Sequence, residues 1–318
     1  MLEYRTYVHQ NILLTIVAIL IFNKKEESMN NSNNKISIPD YHLHSEFSAD
    51  CESDINEIIK AARAKRINSI CFTDHNDLDF PKTPDDCKFD LDIDNYISTL
   101  SHLREENLGD GFDVRIGVEQ GVMPTTCERL NSYTSEHPGL DFVICSSHVV
   151  DGFDPYYTEY WYYPDGTVKD AERLYQIYFE EMLYNVQHFH DYNVYGHIDY
   201  IFRYGPTPGK VTAEIFKEKY FPKYKDLFHE ILKTIIEDGK GIEINTGSLY
   251  RGMDYMHPHI EILKMYKELG GEILTFGSDA HDLEHIGYGF DNAAEIAKNI
   301  GFRYYTPFSK LKPDYTYL

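Results

Sequence analysis

Asp40-Tyr41-His42-Leu43-His44-Ser45, with Asp50 shortly after it, is the stretch from which the rest of the chain can be read. Ile36 and Ile38 alternate with polar residues ahead of it, so residues 35–42 read as a short β-strand. Residues two apart on a strand share a face, which predicts that His42 and His44 project together from its C-terminal end. A divalent ion held by imidazole requires that arrangement. A lone His-x-His at a surface turn carries little weight. Here further histidines and carboxylates recur at the ends of later strands.

The chain alternates from Lys35 onward. Ser53 is expected to cap a helix whose Ile55, Ile58, Ile59 and Ala62 share one face. Residues 67–72 read as a buried strand ending at Thr73-Asp74-His75, and a helix is expected over 94–106. Strand 113–118 ends at Glu119, 126–135 reads as helical, and strand 141–145 runs into Ser146-Ser147-His148. An aromatic insertion at 151–165 holds the only tryptophan, Trp161. A helix over 170–190 leads to Asn193-Val194-Tyr195-Gly196-His197, and a helix over 212–238 is broken by Pro222. Strand 241–245, helix 258–269 and strand 272–276 follow, the last running into Gly277-Ser278-Asp279-Ala280-His281 before a helix over 292–300. Seven strands, each followed by a helix, predict an α/β fold with a parallel sheet closed into a TIM-like barrel. Active sites of such barrels lie at the C-terminal ends of the strands, where all these candidate residues fall.

The 318 residues suit one large domain, and 42% of them are hydrophobic, enough for a sizeable core. The net charge of −22, from 52 acidic and 30 basic residues, opposes binding to a polyphosphate backbone, so no nucleic-acid partner is expected. Five cysteines without a Cys-x-x-Cys pair point to a reducing, cytoplasmic setting rather than to disulfides. The apolar run 12–22 is shorter than the ~20 residues a membrane helix needs, so no stable membrane partner is expected. A polar linker containing Met29 follows it. Residues 1–34 therefore read as an extension, with Met29 a candidate start, and 35–318 as the barrel domain.

His42, His44, Asp50, His75, Glu119, His148, His197, Asp279 and His281 make nine potential ligands. An ion usually takes three or four protein ligands and a carboxylate can bridge two ions, so the set suits two or three divalent ions. Imidazole and carboxylate without thiolate favour Zn, Mn or Fe. These motifs, with Gly196-His197-Ile198-Asp199 and Gly277-Ser278-Asp279-Ala280-His281, together resemble the PHP (polymerase and histidinol phosphatase) superfamily from Ser37 to the end of the chain. The histidinol-phosphatase branch is resembled by Ser146-Ser147-His148-Val149-Val150-Asp151-Gly152 and by Arg203-Tyr204-Gly205.

The resemblance implies a distorted (β/α)7 barrel and a phosphatase acting on L-histidinol phosphate in histidine synthesis. It implies one ion at His42, His44, Glu119 and Asp279. Glu119 would bridge to a second ion held by His148 and His197, and Asp50, His75 and His281 would hold a third. Asp50 stands where other members often have histidine, which would shift the third site toward Mn or Fe. Catalysis is expected from a metal-activated water at the centre formed by Glu119, Asp279 and His281 rather than from a covalent side chain. The leaving alkoxide would take its proton from such a water or from His281. Arg203 and Arg251 are candidate phosphate clamps. Asp151 and the aromatic insertion are expected to receive the substrate's ammonium and imidazole. Asp74 and Asp199, beside ligand histidines, are candidates for orienting them, and His257 and His259 read as structural. A phosphatase of the same fold with another small phosphomonoester or a nucleotide, a nuclease, and a non-catalytic metal-stabilised scaffold are the competing readings.

Overall fold

The computed structural model describes residues 37–206 and 211–318, and the fold belongs to the unit Ile38–Leu318. The apolar run 12–22, the linker with Met29, and Lys35 and Ile36 lie outside the described residues. Among the described residues, pairing starts at Asp40. Pro39 has no N–H to donate into a ladder, so β1 spans Asp40–Leu43.

All pairings in the main sheet are parallel. The order is β1, β2 (Ser69–Phe72), β4 (Asp113–Gly121), β5 (Phe142–Ser146), β6 (Val194–Tyr195), β7 (Gly241–Asn245) and β8 (Leu274–Gly277). An additional strand, β3 (His75–Asp77), pairs with the second half of β4, and β2 pairs with the first half. His75 is thus the first residue of a strand and stands directly opposite Glu119. The seam between β8 and β1 is closed just past the strand ends. Asp279 N–H donates to His42 O (2.7 Å) and His44 N–H to Ala280 O (2.9 Å). The result is a nearly closed, distorted (β/α) barrel.

Helices cover the outside of the sheet. The helix Ile55–Ala64 buries Ile55, Ile58, Ile59 and Ala62 as its spacing predicts, but its cap is Asp54, which accepts from Asn56 N and Glu57 N, and not Ser53. The stretch 126–135 forms two short turns, Cys127–Leu130 and Tyr133–Glu136. The break near Pro222 falls one turn earlier, as a π-type turn at Phe216–Tyr220, because proline leaves the preceding turn without an i→i−4 bond. Inside the barrel's lower end, Tyr41, Cys71, Phe142, Ile144, Val194 and Phe308 form a separate apolar plug. Tyr41 reaches that plug because β1 is irregular: Asp40 pairs with Ile70 and Leu43 with Phe72, three residues spanning two.

Asp40, fully buried, holds the seam from below. Its carboxylate accepts from Ser278 N (3.0 Å), Ser278 Oγ (2.5 Å) and Gly287 N (2.8 Å). Asp40→Ala strands these donors and should lower the urea midpoint by the equivalent of about 2–3 kcal/mol without changing the slope. An unchanged midpoint would show that the seam does not depend on Asp40.

Candidate metal centre and active site

Glu119, near the end of β4, is 1% exposed and stands at the centre of five imidazoles. Its Oε2 lies 3.1 Å from His42 Nε2, 3.5 Å from His44 Nε2 and 3.0 Å from His75 Nδ1. Its Oε1 lies 3.0 Å from His148 Nε2 and 2.8 Å from His197 Nε2, and accepts from Ser146 Oγ at 2.7 Å. Asp279 holds a positive φ of 55° that turns its side chain toward the same centre. Its Oδ1 is 3.7 Å from His44 Nε2 and 3.6 Å from His281 Nδ1. Its Oδ2 faces Arg251 (3.3 Å) and Arg203 (3.5 Å). Asp50 Oδ2 stands at the rim, 3.2 Å from His281 Nε2 and 3.7 Å from His75 Nε2.

The fold therefore gathers all nine sequence-selected residues in one place. Compact donor groups able to hold an ion are His42, His44 and Asp279; His42, Glu119 and His197; His44, His75 and His281; and His75, Asp77 and His148. Asp77 was not anticipated. The donor chemistry fits divalent cations on a further ground. His42 Nε2, His44 Nε2, His75 Nδ1 and Glu119 Oε2 are buried, and although they lie close to one another none makes a well-directed hydrogen bond. Buried polar atoms left this way cost about 1–3 kcal/mol each unless a ligand engages them.

Electrostatics point the same way. Burial pushes the Glu119 carboxyl up, but His42, His148 and His75 outweigh it and hold the group well below the usual range. Burial lowers His42, His75 and His148, yet their carboxylate neighbours raise all three, His148 to about 10. His44 is driven down by burial and by the stacked rings of His281 and His75, at 4.0 and 4.3 Å. Ligation needs neutral imidazole, so protons on the raised histidines must leave when ions enter.

A tier of groups behind the ligands sets their ring orientation. His42 Nδ1 donates to Glu243 Oε1 (2.7 Å), and Glu243 Oε2 accepts from His197 N (3.1 Å) and Asn245 Nδ2 (3.2 Å). His148 Nδ1 donates to Asp77 Oδ2 at 2.8 Å. Ser48 Oγ gives its one proton to Asp74 (2.7 Å), so His44 Nδ1, 3.1 Å away, must be a donor. In each case Nδ1 is protonated and Nε2 is left to face the centre. Two close approaches need glycine. A Cβ at Gly277 would lie 2.1 Å from Glu243 Oε1 and 2.3 Å from His42 Cβ, and one at Gly121 would lie 2.2 Å from Asp77 Cγ.

Sequence reading missed Glu243, Asp77 and Ser48. A charged residue inside Gly241-Ile242-Glu243-Ile244-Asn245, an otherwise apolar buried strand, was the available signal for the first. Asp74 acts on His44 only through Ser48. Asp199 does not orient a ligand: it accepts from His257 Nδ1 (2.8 Å) and His259 N (3.0 Å), two buried histidines that pack on Tyr255. Asp151 is also displaced from its expected place. It is exposed on a turn with φ 52°, its N–H donates to Glu181, and it does not line the cavity. A cavity of about 320 Å³ opens above the metal centre, and Arg203 and Arg251 do line it.

Imidazoles and carboxylates converging at the C-terminal mouth of a parallel barrel, next to two arginines, define a metal-dependent hydrolase. Residues 40–247 match the PHP domain, and the chain belongs to that family. It is 32% identical over 276 residues to the histidinol-phosphatase of Lactococcus lactis, covering 86% of this chain and 96% of that one. The crystal structure of histidinol phosphate phosphatase from L. lactis, complexed with zinc, L-histidinol and phosphate, superposes with a TM-score of 0.74 at 30% identity, covering 88% of this chain and all of that one. A structure from Listeria monocytogenes, 18% identical, shares the fold with a TM-score of 0.66 over 80% of this chain and 99% of that one.

Glu243→Gln should keep the fold and weaken metal affinity about 10- to 100-fold, read by competition with a chelating dye. Titration of the metal-free protein near pH 8, compared across buffers of different ionisation enthalpy, should show proton release on metal uptake. That release follows from His148, whose carboxylate neighbours raise it to about 10 despite its burial, with His42 and His75 raised in the same direction.

Proposed function

We propose that this chain hydrolyses L-histidinol phosphate to L-histidinol and phosphate. The observation that carries the reading is the position of two guanidinium groups, of Arg203 and Arg251, on the cavity wall and against Oδ2 of Asp279. Glu119 with His42, His44 and Asp279 would hold one ion, Glu119 with His148 and His197 a second, and Asp50, His75 and His281 a third. Divalent ions such as zinc supply a nucleophile from water near neutral pH and neutralise phosphoryl oxygens.

The chain's own side chains do the rest. Arg203 is 9% exposed, and its buried Nε has no hydrogen-bond partner among the described residues. A phosphoryl group entering the cavity gives that guanidinium and that of Arg251 the bidentate acceptor they lack. Because both lean on Asp279, they place phosphoryl oxygens beside the metal ligands and offset charge there. His281 lies on the cavity wall and is the side chain from which a departing alkoxide can take a proton.

The small phosphorylated substrate suits the cavity size, and the net charge of −22 counts against a nucleic-acid substrate. The number and spacing of the cysteines suit a cytoplasmic enzyme. No described helix is long and apolar enough to cross a membrane.

Phosphate release should be metal-dependent and fastest with L-histidinol phosphate among a panel including an aryl phosphate, a mononucleotide and single-stranded DNA. Turnover of the others without histidinol phosphate would move the substrate elsewhere within the same chemistry. His75→Ala and Asp279→Ala should each lose metal and at least about 100-fold in kcat/KM, with an unchanged far-UV spectrum. Arg203→Lys, which keeps the charge but not the fork, should cost about tenfold in kcat/KM.

A further inference from the structure

The cavity above the metal centre is lined by charges of both signs. Arg203 and Arg251 stand against Asp279, and Asp77, Asp85 and Asp154 add carboxylates from the segment after β2 and the insertion after β5. The acidic residues are not equivalent. Asp77 pairs with His148 through Oδ2, and Asp85 Oδ1 accepts from Tyr157 Oη at 2.7 Å and Thr83 Oγ1 at 2.8 Å. Asp154 accepts the Tyr156 N–H at 2.8 Å and forms no ion pair among the described residues. Burial pushes its carboxyl up to about 6, as expected of a desolvated acid short of a cation.

Two further observations make this wall a receptor rather than a chance cluster of acids. Asp77 is 3% exposed, and its Oδ1 is buried without a hydrogen-bond partner on the same cavity wall. The wall is also built from aromatic rings held in place. Tyr156 meets Tyr157 edge-on at 5.0 Å and Tyr204 at 5.7 Å, and the Tyr157–Asp85 bond ties the insertion to the loop after β3. Tyrosine faces attract a desolvated cation, and a carboxylate beside them fixes its position.

We propose that Asp154 is the specificity residue of this pocket, receiving the positively charged end of a phosphomonoester whose phosphoryl group lies against Arg203 and Arg251. The inference rests on the phosphatase reading above and extends it, from a centre that binds phosphate to a pocket that selects cationic monoesters. Tyr156 and Tyr157 flank the cation, and Asp77 Oδ1 supplies a second acceptor deeper in the wall. A neutral monoester of equal size gains nothing from this wall and leaves the carboxylate without a partner.

The test compares wild type and Asp154→Asn, metal-loaded, on L-histidinol phosphate, 2-aminoethyl phosphate and a neutral aryl phosphate. Asparagine keeps the shape and an acceptor for the Tyr156 N–H. The expected result is a loss of roughly 10- to 100-fold in kcat/KM on both cationic substrates, with the aryl phosphate rate, metal content and inhibition by inorganic phosphate unchanged. Tyr156→Ala should lose in the same selective direction by a smaller factor. Equal losses on all three substrates, no loss on the cationic pair, or a wild type without preference for charge would each overturn the inference. If wild type rejects histidinol phosphate but shows an Asp154-dependent preference for aminoethyl phosphate, the substrate reading fails and this inference stands. If Asp154→Asn leaves rapid histidinol phosphate turnover intact, the reverse holds.

Discussion

Closure of the barrel between β8 and β1 is the constraint on which the metal centre depends. The two hydrogen bonds that make the closure belong to His42, His44, Asp279 and Ala280, so the backbone that seals the sheet also carries three of the ligand side chains. Asp40 secures the same seam from within, two residues ahead of His42. Folding and site assembly are therefore one event at this position. A shift of the seam by one residue would turn the imidazoles away from Glu119.

The cost of such a site is buried charge. A carboxylate at the barrel axis is tolerable because imidazoles surround it and because the far nitrogens of three of those rings, His42, His44 and His148, are already committed. Glu243 serves His42, Asp77 serves His148, and Ser48, itself held by Asp74, serves His44. These supporting groups fit because glycine stands at 121 and 277, where a methyl group would strike them. The glycines of the ligand motifs thus act through space rather than through unusual backbone angles. Removing an orienting acid leaves the ligand present but free to choose the wrong tautomer.

Selectivity is built from different material. The metal centre sits on strand ends, which packing holds rigidly, whereas the cavity walls are completed by loops, among them the loop after β3 and the insertion after β5. Loops can change without disturbing the ladder, which suits them to distinguish substrates while the strands keep the chemistry constant. Trp161, whose Nε1 donates to Pro155 O at 2.7 Å, packs on Tyr175 of the long helix Ala171–His188 and anchors the insertion that presents Asp154.

The alternation of strand and helix, and the recurrence of His, Asp and Glu at strand ends, were legible from the residues alone, because both follow local periodicity and a fixed rule about where barrel loops place side chains. That was enough for the barrel and for the nine residues gathered at its mouth. It did not reach Glu243 or Asp77, whose importance lies in partners 201 and 71 residues away in the chain. Nor could it separate Asp151 from Asp154. A three-residue difference inside an irregular turn decides whether a carboxylate meets solvent or the cavity, and no periodicity governs a turn held by Glu181 on one side and by Tyr156 on the other. Local pattern determined which residues belong to strand ends. Only the tertiary structure decided which atoms meet, because those distances are set by closure of the barrel and by loop packing between segments far apart in the chain.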